Sequence, residues 1–321
     1  MTTTRTDGVA VVLGTVRAMA ADIVVYGPPG MDDREQGPLV GKALEVFRDV
    51  HRTCTRFDPE SPLMQVNARP DQWHVVPPLL FDAVRSAHGA YELTGGRFDP
   101  RILGDLVRLG YDRSLPFAEG VDTPGVPDPE PRVRTPWRPR FRSGRRPRLH
   151  LGGAPVDLGG IGKGLAVRWA SAILRDGLED FLVDAAGDCH CQGTGPEVDG
   201  WRVGVEDPAG GDLPVAVLAL RDRACATSST RIRRWRSGGR PVHHLVDPST
   251  GRPGGDGLAA VTVVADDAAD AEVATKSLFL AGAEAIAEAA AAGDVAALWV
   301  TTDGTCSTST AMDPYVVWRA A

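Results

Sequence analysis

Lysine is nearly missing from this chain of 321 residues: of 35 basic residues only Lys42, Lys163 and Lys276 are lysines, and the rest are arginines. A codon bias that also favours Ala, Gly and Pro accounts for the scarcity as a whole, and it makes each retained lysine an unusual choice. Cysteine is scarce too. The five stand at 54, 189, 191, 225 and 306, an odd number without a C-x-x-C pair, so a disulfide framework is not expected. Cys189-His190-Cys191 has no second ligand pair at finger-like spacing, and alternate residues of a strand face opposite ways. Small residues on or beside a strand are therefore expected there, rather than a zinc site. No run of about 18 apolar residues occurs, so no membrane-spanning helix is expected. The apolar stretch from Val9 to Gly14 is soon cut by Arg17. It is too short for a secretory core with a cleavage site, and the expected location is cytoplasmic. The formal net charge of −7 gives no overall basic footprint for nucleic acid. What remains is ordinary: 43% apolar and 24% charged residues exclude a disordered or collagen-like chain.

Periodicity organises most of the length. Loose alternation from Val9 to Tyr26 predicts one or two strands with a turn. Apolar residues at helical spacing predict helices over Pro38–Arg52 and Pro77–Thr94, the second closed by Gly95-Gly96, with a short helical patch reaching Asn67 between them. Residues 114–148 are rich in Pro and Arg and poor in apolar period, and predict an exposed, partly ordered insertion. Its basic run from Arg138 to Arg148 carries no nucleic-acid module signature and predicts a solvated loop. A strand to Asp157, a Gly-rich turn and a helix from about Leu165 to Asp176 follow. Strands are expected at 180–183, 201–205, 214–220, 224–228, 258–265, 297–301 and 315–319, with helices over 268–280 and 282–292. Interleaved strands and helices predict an α+β or mixed packing.

Four segments carry chemistry. In Asp157-Leu158-Gly159-Gly160-Ile161-Gly162-Lys163-Gly164, glycines between a strand and a helix let backbone approach a ligand closely. The following helix offers its positive end to an anion, and Lys163 adds a mobile charge. The spacing fits neither a Walker A loop nor G-x-G-x-x-G, and a plain tight turn reads equally well. His243-His244 before Asp247-Pro248 suggests a metal pair or a general base, although only one of two adjacent histidines faces a given site. Gly95-Gly96-Arg97-Phe98-Asp99-Pro100 is the third segment. Glu272 and Lys276 in the fourth share a helix face at i, i+4, as a surface ion pair also would.

Together these motifs resemble the FAD:protein FMN transferase family, the ApbE-type flavin transferases. Arg56-Phe57-Asp58-Pro59-Glu60-Ser61-Pro62-Leu63 through Asn67 is similar to that family's S-R-F-x-P-x-S-x-L-x-x-x-N. Thr94 to Pro100 is similar to T-G-G-x-F-D-P, Asp157 to Ala166 to D-L-G-G-I-A-K-G-x-A, and Ala185 to Asp188 to its later G-G-D. Thr227-Ser228 matches T-S-G, and His244 to Pro253 matches H-I-I-D-P-x-T-G-x-P. The resemblance implies a single domain over 1–321, α+β in class, with mixed and antiparallel sheets and helices packed in two sublobes around an FAD cleft. It also implies the reaction, in which FMN passes from FAD to a Thr or Ser hydroxyl of an acceptor flavoprotein and AMP leaves. Asp157, the backbone at Gly160 and Lys163 would hold FAD; Met19, Arg97, Phe98 and Asp99 would be further flavin contacts; His244 would take the hydroxyl proton.

The departure lies at the metal. The family's A-D-x-x-x-T supplies Mg²⁺ ligands through Asp and Thr, and alignment on Leu278-Phe279 puts Glu272 and Lys276 there. Gly160 and Glu272 remain the candidate ligands, since a protonated lysine cannot ligate. A register shift by one restores Thr275 but brings Ala271 to the acidic position. Ala186 and Arg168 also stand where the family often has Gly and Asp. Three readings follow: a transferase in which Lys276 itself neutralises the pyrophosphate, an FAD-binding module that has lost transfer, and a scaffold for phosphoanhydrides generally.

Overall fold

The computed structural model describes residues 10–320 apart from 32, 118–119, 126, 128–134, 198 and 294. Its centre is an eight-stranded sheet in which every neighbouring pair is antiparallel. In spatial order the strands are Val11–Ala18, Ala21–Gly27, Phe181–Asp184, Asp188–Gln192, Arg223–Ser229, Leu258–Ala265, Ala296–Thr301 and Cys306–Thr308. Period-two alternation sorts their side chains onto two faces. On one, Ile23, Val25, Phe181, Val183 and Ala224 meet helices α1 (Asp33–Cys54) and α5 (Gly162–Leu174). Further along the same face Val261, Val263 and Trp299 meet α6 (Ala268–Ala281) and α7 (Ala283–Ala291). On the other, Leu182, Cys189, Cys191, Cys225 and Val264 pack on a three-stranded sheet of Trp201–Val205, Ala216–Leu220 and Val316–Arg319. The three clustered cysteines are thus core residues beside Trp201, and His190 points the opposite way, to Arg175.

A second cluster flanks this layer. Helices α2 (Pro62–Asn67) and α3 (Pro78–Leu93) pack with Phe98, Trp137, Leu149, Leu158 and Ile161. A short α4 (Leu103–Arg108) lies beyond them, with Leu106 in a third cluster around Trp235. The class expected from sequence, helices packed on antiparallel sheets, is the class observed.

Three expectations shift. The helix after the glycines starts at Gly162, not at about Leu165, so Lys163 sits in its first turn. No strand leads into Asp157; the strand is Arg148–His150, paired with Arg140–Arg142. The 114–148 stretch is not exposed throughout. Leu115, Thr123 and Trp137 are buried, and Trp137 donates its indole N–H to the Leu151 carbonyl at 2.7 Å. Asp122–Thr123 pairs in parallel with Arg236–Ser237. A buried Trp tied to backbone needs no helical or strand period, which is why pattern alone did not place it. Other parts of that stretch lie outside the described residues.

Candidate active site

Three of the four segments, the Gly160 loop, the Phe98 loop and the Glu272–Lys276 helix face, meet at the N-terminal end of α5. Gly164 lets α5 and α6 touch there: a Cβ on it would lie 2.5 Å from the Ala268 carbonyl oxygen and 2.6 Å from Ala269 Cα. At that contact Glu272 of α6, 1% exposed in its side chain, accepts the Gly164 N–H at 2.8 Å through Oε2. Its Oε1 faces the Lys276 ammonium at 3.0 Å. Glu272 therefore acts as a carboxylate cap on a helix to which it is not attached. Arg168, one turn further along α5, grips Asp267, and Asp267 in turn caps α6 through the Ala269 and Asp270 N–H groups. The arginine at this position is thus half of an interhelix clasp.

Lys163 reaches Asp188, the first residue of its strand, at 2.6 Å. Burial pushes the Asp188 carboxyl up although Lys163 pulls it down. Burial likewise pushes Glu272 up, but Lys276, Lys163 and the Gly164 amide outweigh it and hold this carboxyl below its ordinary range. The two lysines and two carboxylates form one interacting cluster.

The apolar wall beside it comes from distant segments. The Phe98 ring stands 3.0 Å, and the Lys276 Cδ 3.4 Å, from where a Cβ on Gly160 would be. The Met19 methyl stands 3.4 Å from the same point at Gly162. Met19 and Ala20 make the tight turn between the first two strands with φ of 55° and 58°. That left-handed backbone costs an L residue about 1 kcal/mol or more where Asn-Gly is the easy choice. This turn holds the Met19 methyl against Gly162.

Asp157 and Asp99 are each paired with an arginine. Asp157 is buried against Arg56, with Nε 2.7 Å from Oδ2. The guanidinium lies 4.2 Å from the centroids of both Phe57 and Tyr111. The Asp157 N–H also donates to Pro100 O at 2.7 Å, pinning the Gly160 loop to the Phe98 loop. Asp99 is held by Arg101 at 2.8 Å and caps the turn at Pro100. Arg97 is exposed. Asn67 braces Val156 with both of its amide atoms, at 2.8 and 2.9 Å. Sequence pattern alone assigns Arg56, Asn67 and Asp188 no role, because their partners lie 25 to 101 positions away.

His244 follows the strand Arg240–His243. Its Nδ1 lies 3.3 Å from Arg233 O. A carbonyl can only accept, so Nδ1 carries the proton and Nε2 is left as an acceptor. Burial, then the charges of Arg233 and Lys276 and the neighbouring His243, hold His244 well below the ordinary histidine range. It is neutral at pH 7, and the same burial and charges disfavour its protonated form. His243 instead packs edge-on against Phe279, and burial lowers it to about 4.

Comparison with known proteins now decides the family: the family model described as the ApbE family matches residues 16–299. The chain belongs to the ApbE family. A curated relative from Treponema pallidum named FAD:protein FMN transferase is 29% identical over 214 residues, covering 60% of this chain and 57% of its own length. One of the same name from Rhodobacter capsulatus is 27% identical over 290 residues, covering 88% and 54%. This chain spans about half the length of the curated relatives it matches. Among solved structures, the ApbE protein of Thermotoga maritima superposes with a TM-score of 0.76 at 24% identity, covering 94% of this chain and 97% of that one. The flavin transferase ApbE of Vibrio cholerae gives 0.72 at 20%, covering 96% and 98%. These likenesses show that the ApbE-family chain has the flavin transferase fold.

The donor set at Gly160 and Glu272 does not fit Mg²⁺. That ion takes near-octahedral oxygen ligands, yet both Glu272 oxygens are engaged, one by an amide N–H and one by an ammonium. Among the described residues no group of three or more His, Cys, Asp or Glu side chains could hold a metal ion. Nor is any helix among them long and apolar enough to cross a membrane.

Proposed function

We propose that this chain is an FAD:protein FMN transferase, moving FMN from FAD to a Thr or Ser hydroxyl of an acceptor flavoprotein. The observation that carries the reading is convergence. Met19, Phe98, Gly160, Lys163 and Lys276, drawn from four separate stretches of sequence, border one helix N-terminus. In this reading Met19 and Phe98 line the flavin, while the open backbone at Gly160 and the two ammonium groups receive the pyrophosphate. Asp157 and Asp99, tied to Arg56 and Arg101, hold the two loops in place, and Arg97 meets the flavin from the exposed rim.

The chemistry assigned to His244 follows from its tautomer. The acceptor hydroxyl gives its proton to Nε2 as its oxygen bonds to the phosphorus of the FMN half. The bond from that phosphorus to the AMP oxygen breaks, and AMP leaves with the electron pair. Charge on the phosphoryl oxygens is met by Lys163 and Lys276. The cysteines stand as free thiols, as suits the cytoplasmic location we assign.

The test is a titration of the full chain with FAD, followed by flavin fluorescence, against ADP and FMN as competitors. The reading expects FAD to bind far more tightly than either half. Equal affinity for ADP would replace it with a general phosphoanhydride site.

A further inference from the structure

Lys276 raises a question that the ion pair with Glu272 does not answer. Its side chain is only 15% exposed, and its methylenes run across Gly160 beside the Phe98 ring rather than out to solvent. An ammonium has three donors. Glu272 takes them on one side only, through Oε1 at 3.0 Å and its own carbonyl at 3.4 Å, and Gly160 borders the other. The counter-charges are already in place. Asp188 neutralises Lys163, Glu272 neutralises Lys276, and each carboxylate is influenced by both lysines. A divalent ion entering here would have to break Glu272 away from Lys276 and the Gly164 amide. It would then sit beside two fixed positive charges. An anion entering here need break neither of those bonds: it meets the Gly160 side of the Lys276 ammonium and the N-terminal end of α5. Of the three lysines in the chain, two stand in this cluster.

We propose that Lys276 is a covalently attached cation at the FAD pyrophosphate, so that this chain binds FAD and transfers FMN without a divalent metal. The proposal rests on the transferase reading and specifies how its anionic substrate is neutralised. Lys276 acts by direct contact with a phosphate oxygen, holding the charge that builds on the phosphoryl group while Glu272 keeps the ammonium aimed.

The experiment begins with the unaltered full chain, stripped with EDTA and titrated with FAD by flavin fluorescence in EDTA and in excess Mg²⁺. Mn²⁺ is titrated separately by electron paramagnetic resonance, with and without FAD. The proposal expects the same FAD affinity in both buffers and no Mn²⁺ site in either state. Lys276→Thr is expected to weaken FAD binding in EDTA by about ten- to a hundredfold, the size of one charge-assisted hydrogen bond. Lys276→Arg is expected to keep metal-independent binding. If the unaltered chain binds FAD only with Mg²⁺, or binds Mn²⁺ beside FAD, this proposal fails while the transferase reading stands. If Lys276→Thr is folded by circular dichroism and binds FAD in EDTA like the parent, the proposal fails as well. Absence of FAD binding in both buffers overturns the transferase reading and this proposal with it.

Discussion

Glu272 makes two different interactions, one across to α5 at the Gly164 N–H and one within α6 to Lys276, and substitution separates them. Glu272→Ala leaves the buried Gly164 N–H without an acceptor, at a cost of about 1–3 kcal/mol. It also strands the Lys276 ammonium. Breaking a fully buried pair costs about 3–5 kcal/mol, but Lys276 is 15% exposed and can turn partly to water, so the lower part of that range applies. A total near 4 kcal/mol is expected. Glu272→Gln keeps its one oxygen for Gly164 but turns an NH2 toward the Lys276 ammonium, so only the capping loss is spared and about 3 kcal/mol is expected. Adding Lys276→Met to Glu272→Gln should recover most of that loss, because no unpaired charge then remains. Urea unfolding followed by circular dichroism measures all three. The carboxyl is held below its ordinary range, so its contribution is present above the unfolded-state value and lost as pH falls through the folded one. The gap between parent and Glu272→Gln should therefore close in acid. A loss below about 1 kcal/mol for Glu272→Ala, or equal losses for Ala and Gln, would refute the capping role.

Other substitutions probe the remaining parts. His244→Asn should leave FAD binding intact and slow AMP release by about a hundredfold or more, and the parent rate should hold as pH falls from 8 to about 6 because His244 stays neutral throughout. A parent profile that loses its rate with a midpoint near 6.5 would exclude the depressed histidine. Gly164→Ala should cost about 3 kcal/mol in urea unfolding, since its Cβ would meet the Ala268 carbonyl at 2.5 Å and the α5–α6 contact cannot part cheaply. Burial raises Asp184 to about 7, so the folded state holds a proton that the unfolded state releases, and stability falls as pH rises from about 4 to 7. Asp184→Asn can still accept the Ala186 N–H; it should raise Tm at pH 8 and change it little at pH 4.

Much of this was legible from residue order. Alternation places the edge hairpin and the Leu258–Ala265 strand, and apolar spacing places α1 and α3. The motifs resembling the transferase family mark the walls of the site. What pattern does not supply is the partner of each charge. The motifs containing Asp99 and Asp157 do not show that these carboxylates are paired with Arg101 and Arg56. Glu272 reads as a metal ligand because acidic side chains ligate metals, and its engagement with Gly164 exists only once α5 and α6 are in contact. Helix α5 starts earlier than glycine content suggests, because Glu272 and the Leu158 carbonyl satisfy amides that its own sequence does not cap. Ala186, standing where the family often has Gly, adopts a φ of 51°. The family preference for Gly thus matches a left-handed backbone at this position.

Covalent transfer of flavin is the most direct measurement. The full chain, FAD and a cell extract would be incubated together, resolved in a denaturing gel and viewed under ultraviolet light, with AMP measured by chromatography. A fluorescent acceptor band should appear only when chain and FAD are both present, with AMP released in equal amount, and His244→Asn should slow both by about a hundredfold or more. FAD bound tightly by the chain, with no AMP released and no flavin attached to any acceptor, would contradict the assignment.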